Sequence, residues 1–192
     1  MKYKVNEIFL SLQGEGFWTG TPMVFLRLSG CNLACHFCDT DFKAFKEMEA
    51  DAIVSTMTDL AGECHRACIT GGEPLLQLES GLIEALHKAG FKIHLETNGT
   101  IEAPEGIDWI TVSPKAELKL TKASELKLVF QKPDEAHIEC FRSYNCQNLF
   151  LQPCDTGYPE NNAAILQQCL EYIKAHPWWR LSLQTHKLLG FK

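Results

Sequence analysis

The alternation of β-rich runs with longer stretches of helical period is the feature that most constrains the fold of this chain. Short runs rich in β-branched and aromatic residues recur along the sequence, and between several of them the apolar residues follow a helical spacing. This alternation is typical of parallel strands joined by helical crossovers. The sequence therefore predicts an α/β fold.

The predicted elements are too few for a closed barrel. Strands are predicted at 23–28, 67–70, 92–96, 109–112, 125–130, 148–152 and 180–184, and helices at 50–60, 79–89, 133–144 and 161–175. A complete barrel of eight β/α units takes about 250 residues, whereas this chain has 192. We therefore expect a single domain, residues 1–192, that forms an open, partial (incomplete) parallel β/α barrel.

Polar or glycine-containing segments follow most of the predicted strands. In a parallel barrel the loops after the strands meet at one rim, where binding and catalysis are concentrated. In chain order, these segments are 31–38, 70–74, 96–99, 113–115 and 152–155. We expect the five segments to lie close together and to form the functional site.

Three cysteines in the first of these segments indicate a metal or cluster site. Cys31, Cys35 and Cys38 place three soft thiolates within eight residues. An ordinary 4Fe–4S electron carrier supplies four thiolates, so a set of three leaves one iron open to another ligand. A closed zinc site with His36 as a further ligand is the alternative. The other six cysteines are interpreted as small hydrophobic side chains.

Composition excludes several classes of protein. A net charge of −6 and a sequence pI near 5.6 argue against direct binding of nucleic acid. No stretch approaches the roughly 20 continuous apolar residues of a membrane helix, and no signal-peptide core follows the first residues. We therefore expect a cytoplasmic protein without membrane contact. The odd number of cysteines, nine, argues against a disulfide scaffold.

The spacing CxxxCxxC, with Phe37 before the last cysteine, resembles the radical S-adenosylmethionine (SAM) superfamily. The resemblance implies a barrel of the radical SAM type and a 4Fe–4S cluster on Cys31, Cys35 and Cys38. It also implies that SAM binds the open iron and is cleaved by the reduced cluster to a 5′-deoxyadenosyl radical. The GGEP segment at 71–74 is similar to the segment that binds the amino group of SAM in that superfamily.

A second resemblance covers most of the chain. The segment 11–16 has the form S-x-Q-G-E-G and precedes the cysteines, with Arg27 on the strand between them. Together these features resemble the 7-carboxy-7-deazaguanine synthases of the queuosine pathway. Arg27 also suits a substrate carboxylate on physical grounds, because its planar guanidinium can donate two parallel hydrogen bonds. A surface ion pair is the alternative for Arg27.

The second resemblance also implies which residues form the site. It assigns Thr40 to magnesium and gives Glu96 no role, and it implies that the N-terminal segment binds substrate while the C-terminal tail closes the site with its terminal carboxylate. The residues implied to bind SAM are Phe37, Cys38, Asp39, Gly72, Ser113, Pro114, Lys115, Gln152, Pro153, Cys154 and Asp155. Those implied to bind the substrate are Leu12, Gln13, Gly14, Arg27, Thr70 and Lys192.

The function implied by this resemblance is that of a carbon–nitrogen lyase. Such an enzyme converts 6-carboxy-5,6,7,8-tetrahydropterin to 7-carboxy-7-deazaguanine with release of ammonia, using the cluster, SAM and Mg²⁺. A flavodoxin or ferredoxin is the implied electron donor, and a homodimer is the implied assembly. Two alternatives remain open from the residues: a glycyl-radical enzyme activase with the same cluster, and a non-catalytic iron–sulfur or zinc protein.

Overall fold

A mixed sheet of nine strands carries the fold in the computed structural model, which describes residues 2–38 and 44–192. The strands are β1 Lys2–Leu12, β2 Pro22–Leu28, β3 Lys46–Glu49, β4 Arg66–Gly71, β5 Lys92–Thr97, β6 Trp109–Val112, β7 Glu125–Phe130, β8 Asn148–Pro153 and β9 Arg180–Leu181. The helices are α1 Ala50–Ala61, α2 Ser80–Lys88, α3 Glu135–Glu139, α4 Pro159–Ala175 and α5 Thr185–Leu189, with a 3-10 turn at Pro74–Leu76.

The strand order is β3-β1-β2-β4-β5-β6-β7-β8-β9. Strand β2 and the six strands β4 to β9 pair in parallel with their neighbours in this order. Strand β1 pairs antiparallel with both β2 and β3. Within the described ranges the two outer strands, β3 and β9, are not paired with each other. The predicted partial parallel β/α barrel is confirmed, with an added antiparallel edge.

Two predicted elements are shorter in the structure than the sequence suggested. The helix predicted at 133–144 reduces to α3, where the Asp134 side chain accepts a hydrogen bond from the His137 N–H at 3.2 Å and so caps the helix. The last strand ends at Leu181 rather than at residue 184, because the chain turns there toward α5. No helix in the described part of the chain is long and apolar enough to cross a membrane.

Two hydrophobic clusters pack the helices against the outer face of the sheet. In the first cluster Leu26, Ile69 and Leu95 from neighbouring strands are fully buried beneath α1 and α2. The second cluster lies under α4 and includes Leu126, Leu151 and Trp179. Strands β2, β4, β5 and β7 are buried on both faces, as is typical of parallel strands covered by helices.

The opposite side chains of the same strands fill the barrel interior. Met23, Phe25 and Cys68 form a small buried apolar cluster there, with Phe9 and Trp18 packed against it. Cys68 fits the interpretation of a structural cysteine, since it is fully buried and burial raises the pKa of its thiol. Side chains therefore fill the part of the barrel interior around this cluster. A binding site can form only in another part of the interior.

We expect Leu82→Ala to lower the free energy of unfolding by about 2–5 kcal/mol, because truncation of a fully buried leucine removes apolar burial and leaves a cavity. Leu60→Ala is the matched control, since Leu60 also lies on a helix but is 39% exposed, and its cost should stay below about 1 kcal/mol. Urea unfolding measures both. Equal costs for the two variants would contradict the packing described for α2.

Candidate active site

The segments at the carboxyl ends of the parallel strands surround one cavity of about 960 Å³. This volume lies at the upper end of the range of about 300–1,000 Å³ found for small-molecule sites. The cavity is lined by seventeen of the residues predicted from the sequence: Leu12, Gln13, Gly14, Arg27, Cys31, Cys35, Phe37, Cys38, Thr70, Gly72, Ser113, Lys115, Gln152, Pro153, Cys154, Asp155 and Lys192.

Three of the predicted site residues are not among those that line the cavity. Pro114 is buried and lies between two lining residues, Ser113 and Lys115, without reaching the cavity itself. Asp39 and Thr40 lie outside the described residues. The predicted roles of these three residues in binding SAM or magnesium therefore stay predictions.

The GGEP segment lies in close contact with the end of β2. A Cβ on Gly71 would lie 1.9 Å from the Leu28 carbonyl oxygen, and a Cβ on Gly72 would lie 2.1 Å from the Gly30 carbonyl oxygen. Gly71 also has φ +137, which side-chain-bearing residues rarely adopt. The Glu73 N–H donates to the Gly30 carbonyl at 2.9 Å. The two glycines thus fix the point at which the cysteine segment begins.

Glu73 ties the end of β4 to the end of β5. Its fully buried carboxylate accepts hydrogen bonds from the Thr97 hydroxyl at 2.8 Å, the Asn98 N–H at 2.7 Å and the Leu75 N–H at 3.0 Å. Burial raises the pKa of Glu73, although these three hydrogen bonds act in the opposite direction. The carboxylate therefore serves as a structural acceptor rather than as a group facing the cavity.

The turn after β5 also holds the cysteine segment. The Asn98 side-chain amide donates to Asn32 Oδ1 at 3.0 Å, and the Asn32 amide donates to the Thr100 hydroxyl at 2.7 Å. Asn32 directly follows Cys31. Because Asn98 is itself held by Glu73 through its N–H, these contacts connect the GGEP segment to the first cysteine through side chains as well as through the backbone.

The three cysteines lie on the wall of one cavity. Cys31, Cys35 and Cys38 all line it, and no disulfide joins any of them within the described residues. On a 4Fe–4S cluster each thiolate binds a different iron. The three thiols would hold such a cluster.

Two carboxylates and one ammonium form a buried network in the wall of the cavity. The Lys127 ammonium, whose side chain is 5% exposed, donates to Glu15 and, at 3.0 Å, to Glu96 Oε2. The Gln13 amide donates to Glu96 Oε1 at 3.2 Å, and the Gln184 amide donates to Glu15 Oε1 at 2.9 Å. The network therefore joins the N-terminal loop, two strands and the C-terminal segment around the cavity.

Burial and pairing separate the acidities of the two carboxyls. Burial raises the pKa of Glu96 to about 7, and its ion pair with Lys127 only partly offsets this shift. For Glu15, burial also disfavours the charged form, but the contact with Lys127 prevails and lowers the pKa to about 2. Burial alone would lower the pKa of Lys127, yet the two carboxylates raise it, so the ammonium stays charged.

The segment after β9 is hydrogen-bonded to the loop between β1 and β2. The Thr185 N–H and hydroxyl both donate to the Gly14 carbonyl at 2.9 Å, and the Gly16 N–H donates to the Ser182 hydroxyl at 3.0 Å. A Cβ on Gly14 would lie 2.1 Å from His186 Nδ1, so a glycine is needed for this close packing. The loop after β1 and the tail therefore form one wall of the cavity.

The segment 152–155 is held from the same tail. The Ser182 hydroxyl donates to Gln152 Oε1 at 2.8 Å, and the Lys187 ammonium donates to Asp155 Oδ2 at 2.9 Å. Hydrogen bonds from Lys187 and from the Gly157 N–H lower the pKa of Asp155 to about 2. This carboxylate is thus charged and oriented beside the cavity.

Several cavity residues were given no individual role from the sequence. Lys127 received no assignment, Gln184 and His186 were included only as part of the C-terminal tail that closes the site, and Glu96 was noted without a role. For Lys127 a signal was available, because two charged residues at alternate positions of β7, Glu125 and Lys127, indicate a polar face toward the barrel interior. The residues that pair with one another in the network come from distant segments of the chain. Their pairing therefore could not be predicted from neighbouring residues in the sequence.

Comparison with known proteins shows the relationship of this chain. The profile of the Radical SAM superfamily matches residues 26–116. The chain is 45% identical to a 7-carboxy-7-deazaguanine synthase of Bacteroides thetaiotaomicron over the full length of both proteins, and 46% identical to one of Caulobacter vibrioides over 99% of each. The crystal structure of QueE from Escherichia coli superimposes with a TM-score of 0.79 at 28% identity, covering 97% of this chain and 95% of that one.

We expect Glu96→Gln to flatten the pH dependence of stability between about pH 5 and about pH 7.5. The native pKa of Glu96 is raised from 4.5 to about 7, so its contribution to stability is fully present at low pH and is lost as pH rises through 7. The free energy of unfolding of the wild type should therefore fall by about 1–2 kcal/mol relative to the variant across this window.

Glu15 does not contribute to this slope, because its lowered pKa places its loss of stability at more acidic pH. Urea unfolding of the cluster-free protein at several pH values gives the comparison directly. Parallel curves for the wild type and Glu96→Gln would contradict the raised pKa.

Proposed function

The chain belongs to the 7-carboxy-7-deazaguanine synthases of the radical SAM superfamily, and on that basis we propose that it converts 6-carboxy-5,6,7,8-tetrahydropterin to 7-carboxy-7-deazaguanine with release of ammonia. The observation that carries the proposal is the single cavity shared by the three cysteines, the GGEP segment and the N-terminal segment around Gln13. A glycyl-radical enzyme activase gives no account of that N-terminal wall.

The cofactor side of the cavity is formed by the cysteines and the strand ends beside them. When bound there, a 4Fe–4S cluster and SAM would supply the radical that abstracts hydrogen from the substrate. Cys31, Cys35 and Cys38 would hold the cluster, and the backbone at Gly72, which also lines the cavity, would bind the amino group of SAM. The segments 113–115 and 152–155 form the rest of this side.

The substrate side is formed by the buried network and Arg27. A pterin ring carries hydrogen-bond donors and acceptors along its edge, and the side chains of Gln13, Glu15 and Glu96 offer both kinds of partner. Lys127 holds the two carboxylates in place, so the polar groups are oriented before the ring binds. Arg27 would bind the carboxylate of the substrate.

Three further parts of the proposal extend beyond the described contacts. Thr40 would contribute its hydroxyl to a magnesium ion beside the substrate carboxylate, since magnesium prefers oxygen ligands and retains bound waters. A flavodoxin or ferredoxin would reduce the cluster, and the enzyme would work as a cytoplasmic homodimer. No direct contact with nucleic acid is proposed, in keeping with the net charge of −6.

An anaerobic assay tests the proposed reaction. Reconstituted protein is incubated with 6-carboxytetrahydropterin, magnesium, a strong reductant and less SAM than substrate, and the products are identified by mass spectrometry. We expect 7-carboxy-7-deazaguanine in excess of SAM. Release of 5′-deoxyadenosine without a deazaguanine product would keep the radical chemistry but refute the proposed substrate.

Substitution of one cysteine should abolish cluster assembly. In Cys35→Ala only two thiolates remain, so we expect iron content after reconstitution to fall from about four to less than one per chain. Cys140→Ala is the control, because Cys140 is exposed and lies away from the cavity lining. Retention of a full 4Fe–4S absorption spectrum in Cys35→Ala would refute the ligand assignment.

An extension beyond Lys192 should weaken substrate binding. The Ser11 hydroxyl donates to the main-chain oxygen of Lys192 at the cavity wall, so added residues would displace this contact. We expect a C-terminal hexahistidine tag to raise KM for the pterin about fivefold. The same tag placed before Lys2, which is exposed, serves as control. Unchanged kinetics in the C-terminally tagged enzyme would contradict the prediction.

A further inference from the structure

Glu7 on β1 bridges two cations at the cavity wall. The Arg27 Nε–H donates to Glu7 Oε1 at 2.8 Å, and the Lys192 ammonium lies 2.5 Å from Glu7 Oε2. All three residues line the cavity. One carboxylate therefore holds a guanidinium from β2 and an ammonium from the end of the chain side by side, although the two residues lie 165 positions apart in the sequence.

The ring of Phe9 gives both cations a second contact. The Arg27 guanidinium lies 5.8 Å from the centroid of that ring, and the Lys192 ammonium lies 4.6 Å from it. Phe9 is itself fixed by stacking on Phe25 at a centroid distance of 5.0 Å. The cations are thus positioned by an anion and by an aromatic face together.

Two cationic side chains on one wall suit an anionic ligand. The side chains of Arg27 and Lys192 are both in contact with the carboxylate of Glu7, whose pKa stays below its ordinary value because hydrogen bonds from the two cations outweigh the effect of burial. The main-chain oxygen of Lys192 accepts a hydrogen bond from the Ser11 hydroxyl, and the carboxylates of Glu15 and Glu96 are paired with Lys127. Within the described residues, Glu7 is the carboxylate that contacts Arg27, through Nε–H alone.

We propose that Arg27 and the Lys192 side chain together form the receptor for the carboxylate of the substrate, with Glu7 as the residue that positions both cations. The inference rests on the proposed function, because the proposed pterin substrate carries that carboxylate. It makes the ammonium of Lys192 a specificity-determining group, in addition to the main-chain contact that the same residue makes with Ser11.

Because Lys192 is exposed, a role of its side chain in substrate binding can be distinguished from a role in folding stability. Its side chain is 62% exposed, and ion pairs at such positions add little to folding stability. Loss of the ammonium should therefore leave the unfolding midpoint unchanged. Its effect should instead appear when a substrate carboxylate is bound between the two cations and excludes water from them.

The first experiment compares steady-state kinetics of reconstituted holoenzymes with magnesium and SAM. Lys192→Met should raise KM for 6-carboxytetrahydropterin about five- to tenfold and leave kcat within about twofold. Glu7→Gln should raise KM at least as much, because it releases both cations. Lys192→Arg, which keeps the charge, should restore a KM near that of the wild type.

Lys2→Met is the matched control. Lys2 lies on the same strand as Glu7 and pairs with Glu47 at 3.2 Å, but both side chains are more than half exposed and neither lines the cavity. This variant should match the wild type in KM and kcat. Wild-type KM in both Lys192→Met and Glu7→Gln, with turnover intact, would overturn the inference and leave the proposed function standing.

A binding measurement separates failure of the inference from failure of the proposed function. Pterin-6-carboxylate and pterin, which differ only in the carboxylate, are titrated into the holoenzyme with SAM. The wild type should prefer the carboxylate, and Lys192→Met should lose most of that preference while its affinity for pterin stays the same. Equal weakening for both ligands would overturn the inference. A Lys192-dependent preference without any turnover would support the receptor and refute the proposed reaction.

Discussion

The close approach of β4 to the end of β2 is the constraint on which the rest of the site depends. A side chain on Gly71 or Gly72 would need space that other backbone atoms occupy, because an added Cβ would lie 1.9 Å from the Leu28 carbonyl oxygen or 2.1 Å from the Gly30 carbonyl oxygen. Cys31 follows Gly30 directly, and Glu73 follows Gly72. One backbone contact therefore places Cys31 beside the GGEP segment, and the buried carboxylate of Glu73 extends that contact to the next strand.

The geometry of the site also depends on the pairing of buried charges in the part of the cavity proposed to bind the substrate. Removing an ammonium and two carboxylates from water costs free energy, which close pairing between Lys127, Glu15 and Glu96 offsets. Because these residues come from β7, the N-terminal loop and β5, the same contacts hold three separate segments at fixed distances. The result is a polar part of the cavity wall in which Lys127 holds both carboxylates in place.

The strands and site segments that could be predicted from the sequence are those that depend on residues close together in the chain. Strands β6 and β7 were predicted with their observed bounds, because short runs of β-branched, aromatic or alternating apolar residues mark them in the sequence. The cysteine spacing and the GGEP segment identified the rim of the barrel. β3, with the polar sequence KEME, was missed because its pairing with the edge of β1 is what makes it a strand. The partners of Lys127 and Glu7 were missed for the same reason, since they are separated widely in the chain.

In the proposed chemistry, three thiolates would hold a 4Fe–4S cluster with one iron open to SAM. Electron paramagnetic resonance of the reduced, reconstituted protein, recorded with and without SAM, tests it most directly. We predict a 4Fe–4S signal whose shape changes when SAM is added, because the amino and carboxylate groups of SAM would bind the open iron. A 4Fe–4S signal that is identical in both samples would contradict the claim and indicate a closed cluster that serves electron transfer.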